Sequence, residues 1–194
     1  MRILIVAGIV AAATTAVAVG AQSPQAQADV AQTKLQAVMS VAAKAPARRR
    51  TVFSQAEMNA YLKYRAQTWL PAGITEPTVQ FVSAGRIATL VTADLDGVRK
   101  KSSGGWFDPT TYLRGKLPVS VTGTLSSAEG KGWFALETAT VDGIPVPPVF
   151  IHELLAYYTR STTNPTGIRM EEAFDLPSEI ERIDVSTGQA TVIQ

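Results

Sequence analysis

Three prolines within four residues, Pro145, Pro147 and Pro148, separate an alternating stretch from a helical one. No other feature constrains the fold of this chain as strongly. Upstream, Leu117, Val119, Val121 and Leu125 alternate with Pro118, Ser120, Thr122 and Thr124. That is the period-two pattern of a strand with one buried face. A connection over Ser126–Gly132, rich in small residues and glycine, leads to a returning strand, Trp133–Val141. There the apolar parity shifts: Phe134 and Leu136 fall on one parity, Ala139 and Val141 on the other, which predicts a β-bulge and a bend in the sheet. The corner Gly143–Pro148 lacks three N–H donors, so pairing is expected to stop and a helix to start with proline in its first turn. Val149, Phe150, Leu154, Leu155 and Tyr158 then recur at helical spacing. That apolar stripe needs a cover, and the sheet is the expected one.

The remainder of the chain supplies the other layers. Ser54 and Glu57 have capping-box spacing, with Phe53 and Met58 at the hydrophobic-staple positions, so a helix starts here and ends before Leu70-Pro71-Ala72-Gly73. Val79 and Phe81 share a strand face, and Ala84-Gly85 turns the chain. Arg86–Asp96 reads as a long strand with Ile87, Val91, Ala93 and Leu95 on one side and Ala88, Leu90, Thr92, Asp94 and Asp96 on the other. After the second helix, Ile168–Phe174 alternates, Ile183 and Val185 lead to a turn at Ser186–Gln189, and Ala190–Ile193 returns. The order helix, four strands, helix, three strands predicts an α+β fold. It is a curved antiparallel sheet of about seven strands packed around one or two amphipathic helices.

The N-terminus reads differently. Met1-Arg2, an uncharged run from Ile3 to Val19 and the small-x-small sites Val19-Gly20-Ala21 and Ala26-Gln27-Ala28 match a secretory signal peptide over residues 1–28. The alternative is an uncleaved anchor. Residues 29–50 read as a linker with a helix around Ala31–Lys44 and a basic triplet, Arg48-Arg49-Arg50, leaving 51–194 as one domain. The triplet is either solvated or in contact with anionic headgroups. Removing residues 1–28 takes away Arg2 and no acid, so the formal charge falls from +2 to +1. A nearly neutral domain is not a nucleic-acid binder by its charge. With no cysteine and one histidine, metal and haem sites are not expected, and no cofactor is implied.

Reaction chemistry is not legible. There is no Gly-x-Ser-x-Gly elbow, no phosphate loop and no His-Glu-x-x-His. His152, on the second helix, reads as a surface or boundary residue. Asp94 and Asp96 share a strand face and could pass for a glycosidase pair, but the plainer reading is a strand end approaching the turn at Gly97. The stretch 97–116 says more: Arg99, Lys100 and Lys101 precede Ser102-Ser103-Gly104-Gly105, Trp106 and Phe107. Glycines, aromatics and cations in a long loop suit contact with a membrane surface. Equally, Trp106 and Phe107 could cover one end of the core.

Phe53-Ser54-Gln55-Ala56-Glu57-Met58-Asn59-Ala60-Tyr61-Leu62 resembles the opening helix of YpmS-like and AsmA-related envelope proteins. Gly143-Ile144-Pro145-Val146-Pro147 and Leu176–Val185 resemble the corresponding parts of LmeA-like proteins. The resemblance spans most of residues 51–194. It implies a tubular lipid-binding (TULIP-like) sheet wrapped about a helix and acting on envelope lipids, with no catalytic residues to carry over. The expected function is therefore non-enzymatic binding or transport of a lipid or other hydrophobic molecule in the periplasm or envelope. Leu90, Trp106, Phe107, Trp133, Phe150, Leu154 and Tyr158 are expected to line or gate the site, with Arg99, Lys100 and Lys101 at a membrane. The alternative is an assembly module that binds a partner protein through a sheet edge.

Overall fold

The computed structural model describes residues 23–40, 48–94, 96, 115–160, 165–167, 169 and 172–194. Among these residues the fold is α+β, with a strongly curled antiparallel sheet forming a half-barrel and three helices. The first helix, α1 (Pro24–Met39), starts at Ser23, whose hydroxyl accepts from the Ala26 N–H at 3.2 Å. It begins earlier than the sequence suggests. Ala28 and Ala31 are fully buried, and side chains this small let α1 lie close on α2 (Gln55–Tyr64). Arg65 to Asp29 (2.6 Å) and Lys34 to Glu57 (2.8 Å) join the two helices by ion pairs.

The capping box of α2 forms as its spacing predicts. The Glu57 N–H donates to the Ser54 hydroxyl at 3.2 Å, and the Ser54 N–H donates to the Glu57 carboxylate at 3.0 Å. Just before it lies β1 (Arg50–Ser54), a strand that the linker reading of Arg48-Arg49-Arg50 does not anticipate. β1 pairs with β9 (Gln189–Ile193), which pairs with β8 (Arg182–Ser186), giving a three-stranded sheet. Arg49 and Gln194 extend that ladder by exchanging both backbone hydrogen bonds.

The larger sheet has the order β2 (Ile74–Phe81), β3 (Arg86–Asp94), β4 (Lys116–Ala128), β5 (Lys131–Val141) and β6 (Ile144–Pro145). A short β7 (Phe174–Asp175) pairs with the start of β5. The β4–β5 connection is shorter than Ser126–Gly132. Glu129 and Gly130, both at positive φ, make a two-residue turn whose twist suits a hairpin. Asp142-Gly143 repeats that device, so pairing continues into the proline corner as far as the Val146 N–H before α3 (Pro148–Thr159) begins. The bulge also forms where parity shifts. Thr122 pairs with Thr138 and Gly123 with Leu136, leaving Glu137 as the extra residue. Beside it Gly123 gives up a side chain: a Cβ there would lie 2.5 Å from the Phe134 ring and from the Ala135 carbonyl. A bulge next to a glycine bends a sheet sharply.

Two covers sit on the inner face of the bend. α3 crosses one end and buries Phe150, Ile151 and Leu154 against Ala93, Val119, Ala139 and Val141. The three-stranded sheet and α2 close the other end, where Phe81, Val185 and Ala190 meet Met58, Ile87 and Leu125. Ser127 stitches this junction by accepting from the Ile183 N–H at 2.7 Å and donating to the Ile183 carbonyl at 2.9 Å.

Candidate functional site

Between the two covers the inner face is not filled. A cavity of about 490 Å³ lies beneath α3, within the size range of small-molecule sites. Its sheet side is Thr89 and Val91 of β3, Val119, Val121 and Leu125 of β4, and Phe134 of β5. Ile151, Leu154, Leu155, Tyr158 and Thr159 of α3 form the opposite wall, and Pro71, Ile74, Phe174 and Arg169 complete it. Val119, Ile151 and Leu154 are buried, whereas Phe174 and Arg169 are exposed. The first three make the floor and the last two mark the mouth.

The same glycine device recurs at the mouth. Gly132 carries the Phe174 ring, which would sit 2.5 Å from a Cβ. Two aromatic rings of the lining therefore rest on strand backbone.

Its few polar groups are already engaged. Tyr158 Oη donates to the Asp94 carbonyl, tying the end of α3 to the end of β3. Burial, followed by the nearby Asp94 carboxylate, pushes the Tyr158 phenol up to about 12, so it remains a neutral donor. Thr159 donates to the Leu155 carbonyl at 2.7 Å and Thr89 to the Val121 carbonyl at 3.4 Å. Arg169 is the charged residue of the lining, paired with Glu172 at 3.3 Å.

Of the residues expected at a site, Leu154 and Tyr158 line the cavity. Phe150 is buried in the adjoining core and does not reach it. Leu90 (45% exposed) and Trp133 (41% exposed) lie on the opposite face, because their neighbours Thr89, Val91 and Phe134 face inward and strand side chains alternate. Arg99, Lys100, Lys101, Trp106 and Phe107 lie outside the described residues. The parity that assigns Val91 to the inner face of β3 and Phe134 to that of β5 is visible in the sequence. Leu90 and Trp133 are the larger side chains at those places, but alternation and not size decides which face they take. Arg169 and Phe174 carry no such signal, since they come from a segment remote from the sheet residues they join.

The aspartates serve the backbone. Asp94 accepts from the Asp96 N–H at 3.1 Å, and Asp96 accepts from the Gly115 N–H at 3.0 Å. Neither lines the cavity. Among the described residues, no group of three or more His, Asp or Glu is placed to hold a metal ion, and no helix is long and apolar enough to cross a membrane. Comparison of the chain with protein-family models, with curated proteins and with solved structures finds no match.

Proposed function

We propose that the chain is a non-enzymatic binder or carrier of a lipid or other hydrophobic molecule in the bacterial cell envelope. One observation carries this reading: the cavity of about 490 Å³ under α3 is walled by aliphatic and aromatic side chains, and its hydroxyls are already bonded. A lining of that kind can desolvate a hydrocarbon chain. The energetics suit reversible carriage. About twelve buried methylenes contribute roughly 10 kcal/mol gross. Lost translational and rotational freedom offsets about 4 kcal/mol or more of that, leaving a Kd of tens of micromolar or weaker. The envelope location rests on the signal-like residues 1–28.

At the β2 edge, capture of a partner strand is the weaker reading. The outer edge of β2 is occupied by α2: Asn59 exchanges two hydrogen bonds with the Val79 backbone (2.8 and 2.9 Å), and Gln55 accepts from the Phe81 N–H at 3.0 Å. An edge covered in this way does not template pairing. Native mass spectrometry of protein purified from a membrane-containing host tests the proposal. A bound mass released as lipid on extraction is the expected result. Empty protein that also fails to take up a fluorescent lipid would overturn it.

A further inference from the structure

We infer that the cavity takes a single-chain amphiphile with an anionic head, its chain under α3 and its head at Arg169, an inference that rests on the lipid-binding reading above. Size sets the chain number. At about 490 Å³ the cavity stands in the lower half of the range of sites that take one small ligand, about 300–1,000 Å³, a size that suits one chain.

Polarity sets the direction. The floor at Val119, Ile151 and Leu154 offers nothing to a head group, and an unpaired carboxylate or phosphate placed there would lose its hydration without replacement. Among the described lining residues, Arg169, at the mouth, is the one that matches an oxyanion. Its side chain is 64% exposed, and Glu172, its partner, is 63% exposed. A solvated pair of this kind is held weakly. The guanidinium can exchange it for a two-pronged contact with a carboxylate or phosphate. Phe174, exposed like Arg169 and a lining residue with it, sets the far end of its ring against Gly132, where it covers the first methylenes below the head.

The experiment is a displacement titration on the delipidated full chain with an environment-sensitive fluorescent probe, at about pH 8 so that the acid is ionised. The competitors are hexadecanoate, hexadecanol, hexadecanoyl lysophosphatidate and dihexadecanoyl phosphatidate. The expected result is one chain per protein, with the better of the two single-chain anions binding about tenfold tighter than the alcohol. The two-chain lipid is expected to bind at least tenfold more weakly than the lysolipid. Arg169→Ala, at an exposed position, should erase the gap between anion and alcohol while keeping alcohol affinity and the urea midpoint. Arg169→Lys should retain part of the gap. Whichever anion binds tighter identifies the head as carboxylate or phosphate monoester. Equal affinity for anions and alcohol, an indifferent Arg169→Ala, or preferred binding of the two-chain lipid overturns the inference while leaving lipid binding in place. If no ligand binds, the alcohol included, the underlying reading falls as well.

Discussion

The two covers on the inner face of the curled sheet are built by different means. At the end closed by β8, β9 and α2, directional bonds fix every layer. Ser127 bridges the sheets, Asn59 and Gln55 clamp β2, Glu57 holds both the cap of α2 and Lys34 of α1, and Gly188 donates to the Phe81 carbonyl at 2.9 Å. At the other end, α3 has no side-chain cap at Pro147, and the contacts described between it and the sheet are apolar apart from the Tyr158 hydroxyl. Hydrogen bonds demand one geometry, whereas apolar contact tolerates several. The end held by hydrogen bonds is packed, and the end held by apolar contact leaves room.

Overpacking should separate the ends most clearly. Ala190→Leu, in the packed end, should cost about 1–3 kcal/mol in urea unfolding. Val121→Leu, which grows into the cavity, should be neutral or slightly stabilising and should weaken lipid uptake. Equal costs at the two positions would break the contrast.

Tyr158→Phe comes next. Loss of the hydroxyl leaves the Asp94 carbonyl without this donor and should cost about 1–2 kcal/mol. Hydrogen exchange should speed up in α3 and leave α2 unchanged. Because the folded phenol is raised from 10.0 to about 12, its contribution is complete below pH 10 and is lost as pH climbs towards 12. Wild type should therefore loosen over that window more than Tyr158→Phe does, as read by near-ultraviolet circular dichroism.

The smallest effect belongs to Glu57. Burial pushes its carboxyl up, but the hydrogen bond from Lys34, the Ser54 N–H and the Lys34 charge outweigh that and hold it below 4.5. Its contribution is thus present above the ordinary carboxylate range and lost as pH falls through the lowered folded value. Partly exposed pairs of this sort add under about 1 kcal/mol. Glu57→Gln should flatten the acid limb of the urea midpoint without touching lipid affinity.

What could be read from the sequence was local. The capping box needs four residues, the alternation of β4 about nine, and the parity shift that marks Glu137 is contained within one strand. Antiparallel α+β layering follows from those patterns. The split into two sheets does not, because Arg50 finds Ile193 across almost the whole chain. The same distance hides β1, whose five residues run from the last arginine of the basic triplet to the capping Ser54 and look like neither partner of a pair. The cavity was half legible. The Leu154 and Tyr158 stripe and the inner parity of β4 were visible in the pattern. Its mouth joins Arg169 and Phe174 to a strand that starts at Lys131, and only the folded chain brings those segments together.

Glu137 separates the shape of the half-barrel from its chemistry. Excising that residue would leave Phe134, Leu136, Ala139 and Val141 pointing inward as they do now, since the alternation on either side would simply rejoin. What would disappear is the bend. Among descendants of this sequence, a one-codon deletion at that point is the route to a flatter sheet and a shallower hollow, with no change in greasiness. A codon retained there keeps the hollow deep.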